Sequence, residues 1–352
     1  MLLQLPLLCQ IEILKKLPPT SVDNVALVCK QLGWLIRKCR RDLAKPRVFM
    51  SVTQELDGEN VTLCLYLHPI HYNGNMEQCM KRRIFKQFKF RLAELNNFDL
   101  EKHFGFFELE SVLLTSRYME LSPVSPHLIQ FTDYLFKTHF KHIRYFGMKC
   151  LDFKNLDESA LSKFLAIFEG NQFCLDMLKV QCCNFQDANS VYRFFQSSIL
   201  SRTRNFRELC TTKEDSALTE EIISTFSRTG PRILSTFLDL DCPLEGLELC
   251  SIAFWPFGSI RNFVEDWCQM RTPKVFKKLS LMKTNEFEHI VTELKEHPWV
   301  QNQDRVSTEP LVFKNRNNDK FELLIFIDSP LYFVIQAVDV RNDRTTDLEG
   351  HY

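Results

Sequence analysis

The sequence predicts a mixed α/β chain: three short helices at the N-terminus, then an irregular solenoid of strand–helix units, then a small β meander. Three observations predict it. Apolar residues recur at helical spacing over the first forty-five or so residues. From about residue 105, strand-like runs alternate with helical ones at steps of about 30 residues. Beyond residue 300, alternating apolar segments are separated by polar turns.

The opening stretch, LPLLCQIEILKKL, reads as a helix with Pro6 in its first turn, where a missing N–H is no loss. Leu7, Ile11 and Leu14 recur on one face, Leu8 and Leu17 widen it, and Pro18 and Pro19 end it. An export signal needs a basic start and an unbroken apolar run. Here no Lys or Arg precedes the apolar residues, and Gln4, Pro6, Gln10 and Glu12 interrupt them. The segment is therefore expected to be part of the fold. Thr20 and Ser21 are placed to cap a second helix, whose apolar residues are Val22, Val25, Ala26, Leu27 and Val28. A third carries Leu32, Trp34, Leu35, Ile36 and Leu43, and Pro46 ends it. Three short helices cannot bury all this apolar surface among themselves, so the rest of the chain or a partner must cover the remainder.

Residues 47–53 and 61–67 alternate like strands around an Asp-Gly turn signal. KRRIFKQFKFR (81–91) has six basic residues and three phenylalanines. Ile84, Phe85, Phe88 and Leu92 fall on one face at helical spacing, which predicts an amphipathic surface helix. The competing nucleic-acid reading would rest on Arg82, Arg83 and Lys86. Strands are expected at 107–114, 143–153, 177–185, 206–212, 246–254 and 276–282. Helices are expected in DESALSKFLAIFEG, DANSVYRFFQSSIL, LTEEIISTFSR, SIRNFVEDWCQM and EFEHIVTELKEH, among others. Arg232–Asp239 reads as one more unit with a weak or missing helix. Cys150 and Cys182 sit at matching bends just past two strands. An α/β domain of βα units without true repeats is the alternative. The organisation read from this pattern is 1–46 helical module, 47–104 connecting hairpin and basic segment, 105–300 repeat-like domain, 301–340 C-terminal strands and 341–352 tail.

Composition narrows function by exclusion. Lys+Arg and Asp+Glu both number 44, so no overall charge bias points to nucleic acid or membrane. Ten glycines in 352 residues leave little material for phosphate-cradling loops. Thirteen cysteines without a C-x-x-C pair predict free thiols in a reducing compartment, not a zinc site. His139 and His142, like His68 and His71, lack completing ligands, so no metal or cofactor is expected. The apolar run near the C-terminus is broken by Asp328, Ser329 and Pro330, which suits two strands and not a membrane span. No nucleophile, P-loop or dinucleotide motif occurs, and no catalytic residue is predicted.

Leu5-Pro6, Ile11, Ile13-Leu14-x-x-Leu17, a proline turn, Val22, then Leu27-Val28-Cys29-Lys30 with Trp34 and Ile36 resembles the F-box over residues 2–45. Leu7 and Leu8 stand where family members usually carry an acidic residue. The resemblance implies a module docking on the Skp adaptor of cullin–RING ubiquitin ligases, in a non-catalytic receptor working in cytoplasm or nucleus. It implies Leu5, Pro6, Ile11, Leu14, Leu17, Val22, Val25, Leu27, Val28 and Trp34 as the adaptor-binding set. The downstream units resemble irregular leucine-rich repeats, which would present a target protein. Phe254, Trp255 and Phe257 are the candidate target patch. A plain repeat scaffold whose N-terminal helices merely cap the array is the competing reading.

Overall fold

A computed structural model describes residues 2–39, 42–43, 45, 47–55, 60–67, 86–91, 94, 108–116, 122–139, 143–154, 156, 158–169, 174–185, 187–209, 231–239, 241–249, 258–282, 287–301, 310–327 and 332–341. Within these, α1 (Leu7–Lys15), α2 (Pro19–Val28) and α3 (Lys30–Cys39) form the N-terminal module. α1 starts at Pro6 and α2 at Pro18, neither with a side-chain cap. The sequence placed the α2 cap at Thr20 and Ser21, but both lie inside the helix: Pro19, with its φ already helical, starts it a residue earlier. Leu14, Val22, Leu35, Ile36 and Leu43 form the module's own small core. Gly33 sits in α3 where any Cβ would lie 2.8 Å from the Ala26 carbonyl oxygen, so a missing side chain lets α2 and α3 approach.

Between residues 47 and 339 the described strands, apart from one short pair, form one twelve-stranded sheet. Its strands are β1 (Arg47–Gln54), β2 (Asn60–Leu67), β3 (Lys86–Arg91), β4 (Glu108–Ser116), β6 (Tyr145–Lys149), β8 (Leu175–Gln181), β9 (Thr203–Leu209), β10 (Gly246–Leu249), β11 (Phe276–Met282), β12 (Leu311–Lys314), β13 (Phe321–Phe326) and β14 (Tyr332–Asp339). Two short strands, β5 (Ser122–Pro123) and β7 (Leu151–Asp152), pair apart from it. The spatial order β12-β13-β14-β11-β10-β9-β8-β6-β4-β1-β2-β3 contains a parallel centre, β1 to β11, flanked by antiparallel strands at both ends. From β4 to β11 the parallel strands follow in chain order. Each crossover carries a helix: α4 (Pro126–His139), α5 (Glu158–Ala166), α6 (Ala188–Gln196), α7 (231–238) and α8 (Ser259–Gln269), with α9 (Phe287–Lys295) after β11. Parallel neighbours require such crossovers.

The stretch 232–239, read from sequence as a unit lacking a clear helix, is the helix between β9 and β10. The amphipathic helix expected over 81–91 is corrected as well. Residues 86–91 form a strand antiparallel to β2, with Phe88 and Phe90 against the core and Gln87, Lys89 and Arg91 exposed. In so short a run the period-2 alternation, backed by a ladder partner, outweighs an apparent helical stripe. The helix expected at 218–228 lies outside the described residues.

Alternation also assigns the two faces of the sheet. Val112, Phe146, Met148, Leu178, Val180, Phe206, Leu247, Leu279 and Leu281 point to one side and join the apolar faces of α4–α9 in a single core. The abundant phenylalanines tie successive units together there. Phe136 meets Phe146 and Phe168 edge-on at 5.2 and 4.9 Å, Phe153 stacks on Phe185 at 5.2 Å, and Phe195 meets Phe206 at 4.9 Å. Buried polar groups finish helix ends across units. Lys274 Nζ donates to the carbonyls of Phe237, Asp239 and Cys242 past the end of α7, and Asn315 Nδ2 donates to those of Trp267 and Met270 past α8. At the strand starts a row of charges alternates without interruption: Glu110, Arg144, Asp176, Arg204, Glu245, Lys277, with Arg47 leading it. The Arg47–Glu110 contact is 2.9 Å, Arg144–Asp176 3.4 Å, Arg204–Asp176 3.6 Å and Lys277–Glu245 2.6 Å. Opposite charges on neighbouring strands favour this register over a slipped one.

Candidate functional site

Among the described residues the N-terminal module carries most of the exposed large apolar side chains. Of ten such residues among those described, Leu3, Leu5, Leu7, Leu8, Ile13, Leu27, Val28 and Trp34 belong to it; only Val275 and Val340 do not. Leu8, Leu27 and Val28 are 77%, 85% and 73% exposed. Their exposure follows from local structure. α1 turns Gln10 and Leu14 inward, with Ile11 half-buried, and leaves Leu7, Leu8 and Ile13 outside. α2 turns Val22 inward and presents Leu27 and Val28 at its C-terminal end, just before the extended Cys29 redirects the chain into α3. The Cys29 thiol then accepts the Leu32 amide at 3.5 Å, partly satisfying the start of α3. Trp34 stands on the outer face of α3, with Lys38 Nζ 4.9 Å from its ring centroid.

Of the sequence-predicted set, Leu5, Pro6, Leu27, Val28 and Trp34 are exposed, and Ile11, Leu17 and Val25 are half-buried. Leu14 and Val22 have no exposed surface and hold the helices together. Four exposed residues, Leu3, Leu7, Leu8 and Ile13, were not singled out. Leu7 and Leu8 carried a signal: they are apolar where a surface helix is usually charged. Phe254, Trp255 and Phe257 lie outside the described residues, as do His68, His71 and His142. The charged rim of α1 holds Glu12 and Lys15 2.8 Å apart, and this hydrogen bond lowers the Glu12 carboxyl and raises the Lys15 ammonium from their ordinary values.

Elsewhere the chemistry is that of packing. Burial pushes the Cys183 and Cys268 thiols up to about 12. Contact with Cys182, then burial, raises that of Cys150. Such thiols stay protonated and are poor nucleophiles. A cavity of about 260 Å³ beside α7 is lined by Phe195, Leu200, Ile233, Phe237 and Leu247, with Asp239 and Asp241 among its polar groups. Among the described residues no three His, Cys, Asp or Glu side chains converge as metal ligands, and no helix is long and apolar enough to cross a membrane.

The module is thus three short helices around a small core with an apolar exterior. Residues 2–42 match the family model of the F-box domain, so the N-terminal module is an F-box domain. No curated protein and no solved structure matches the chain. F-box domains in general bind the Skp adaptor, and F-box proteins are typically non-catalytic.

Proposed function

We propose that this chain is the substrate-recognition subunit of a cullin–RING ubiquitin ligase. Residues 1–46 hold the Skp adaptor, and the sheet domain presents a target protein. It supplies no acid, base or nucleophile. It raises the effective concentration of target lysines near activated ubiquitin, so geometry is its contribution. The observation that carries this reading is the concentration of exposed apolar side chains on the F-box. Each Leu, Val or Trp buried against the adaptor contributes about 1.5–3 kcal/mol of desolvation, from which the cost of association is subtracted. Leu5, Pro6, Leu27, Val28 and Trp34, with Leu3, Leu7, Leu8 and Ile13, are the direct contacts in this proposal. Ile11, Leu17 and Val25 lie at its edge, and Leu14 and Val22 support it from inside.

The capping alternative requires the remainder of the chain to cover these side chains, and their exposure speaks against it. The leucine-rich-repeat reading of the sheet domain is supported by the chain-ordered parallel strands and their one-sided helices. Calorimetry with the purified adaptor tests the function. Wild type should bind in the sub-micromolar range, and Leu8→Ala/Leu27→Ala/Val28→Ala should lose at least tenfold while keeping its thermal transition. A folded wild type that does not bind would overturn the proposal.

A further inference from the structure

Among the described residues no helix packs on the second face of the sheet from β8 to β11, whereas at β1, β2 and β4 that face carries a separate buried cluster of Phe49, Cys64, Tyr66 and Leu113. The residues that alternate with the core positions of β6, β8, β9, β10 and β11 form rows across it. Tyr145, Met177, Asn205, Gly246 and Lys278 make one row; Gly147, Lys179, Arg207, Glu248 and Ser280 make the next; Lys149 and Gln181 begin a third. Lys149, Lys179 and Arg207 are half-buried and Lys278 exposed, as side chains standing on an open sheet should be. These four cations fall within a strip about 20 Å wide, at about 4.8 Å per strand step. Glu248 is the one carboxylate among the described residues of these rows. It lies 2.8 Å from Arg207 and 3.2 Å from Lys278.

The contrast with the strand starts is informative. There every neighbour has the opposite sign. On the second face Lys179 and Arg207 stand directly opposite each other in register, two cations side by side where the strand starts have opposite signs, and each also has a partner of its own. Glu248 shows what the site accepts: a carboxylate whose two oxygens are shared between a guanidinium and an ammonium.

We infer that this open face binds an acidic, Asp/Glu-rich segment of the target protein, with Lys149, Lys179, Arg207 and Lys278 as its carboxylate-binding residues. The inference rests on the receptor reading above, in which the ligand is a protein. Glu248 competes with the incoming carboxylates for Arg207 and Lys278. Met177 borders the strip and offers half-buried apolar surface to a side chain flanking the acidic run, while Tyr145 packs against the cluster of Phe49, Cys64, Tyr66 and Leu113.

The test uses the full chain and a fluorescein-labelled twelve-residue peptide of Glu and Asp with Leu and Gly spacers, beside its Gln/Asn isostere. Anisotropy should show binding of the acidic peptide alone, weakened by added salt. Lys179→Gln/Lys278→Gln should lose at least tenfold. Glu248→Gln, which releases both cations, should bind about threefold or more tightly, an outcome that a purely structural role for these residues would not produce. Equal binding by wild type and Lys179→Gln/Lys278→Gln overturns the inference, as does no binding by a folded wild type. Tighter binding of a single-stranded oligonucleotide of equal charge overturns it in favour of nucleic acid. The same variants are titrated with the adaptor. Peptide binding without adaptor binding would sink the receptor reading and leave the surface, and the reverse would sink the surface alone.

Discussion

The F-box and the sheet domain solve opposite surface problems. Among the described residues the F-box has a core cluster of five buried residues and an apolar exterior; the sheet domain has one large core and a small second cluster on its other face, with few exposed apolar side chains. In the sheet domain each unit's apolar face is covered by its neighbours, so side chains left outside can be chosen for charge. In the F-box three short helices cannot enclose their own apolar residues, and the surplus faces outward. The difference teaches that enough neighbouring units let the sheet domain cover its own apolar faces, whereas three short helices leave a surplus that the proposed adaptor would cover.

The largest expected effects test whether the two cores are independent. Trp267, fully buried with its indole N–H donating to the Lys274 carbonyl at 2.8 Å, anchors α8 to the sheet core. Trp267→Ala should cost about 3–5 kcal/mol, and Leu14→Ala about 2–5 kcal/mol. Hydrogen exchange should show the first loosening the strands and the second only residues 7–39. A shared loss of protection would mean one cooperative unit. Next in size, Lys274→Met leaves the carbonyls of Phe237, Asp239 and Cys242 without their donor, at a cost of about 1–3 kcal/mol, read as a lower midpoint of chemical denaturation.

Alkaline pH should act on the sheet domain more than on the F-box. Cys183 and Cys268 hold their protons in the folded state to about pH 12, well above their ordinary value of 9.0. Between these values the unfolded chain has lost protons that the native chain keeps. Stability from these thiols is therefore complete below pH 9 and falls as pH rises through the window, by roughly 1.4 kcal/mol per pH unit per thiol. Cys268→Ala should flatten the decline measured by urea titration at pH 8, 9 and 10. A slope unchanged by that substitution would place the alkaline sensitivity elsewhere.

Smaller still is the effect of backbone strain at Cys182. With φ of 49°, it follows β8 in the left-handed region, as Cys150 with φ of 54° follows β6. Cys182→Val should be less stable than Cys182→Gly by at least about 1 kcal/mol, because a β-branched side chain tolerates that conformation worst. Leu27→Ala should hardly change stability at all, within about 0.5 kcal/mol, since an 85% exposed side chain contributes little to folding. Its effect belongs in the adaptor titration.

Much of this was legible in the amino-acid sequence because local patterns carried it. Pro6 and the Pro18-Pro19 pair bracket α1. The alternation in 276–282 marks β11 to the residue, and the strand–helix rhythm marks the crossovers. The F-box was readable because its apolar residues recur at fixed spacings within one short segment, independent of anything distant. The same spacings could not say that Leu14 and Val22 turn inward while Leu8 and Leu27 turn out. Which of a short helix's apolar residues are buried is decided by the neighbours it meets. Residues 86–91 are a strand only because β2 offers a ladder edge, a partner about twenty residues away in sequence. The basic strip was beyond sequence reading for the same reason. Lys149, Lys179, Arg207 and Lys278 are separated by roughly thirty or more residues at each step, and only strand register sets them side by side. The local chain thus determined the elements and the family; pairing across the sheet decided the faces and which charges share one.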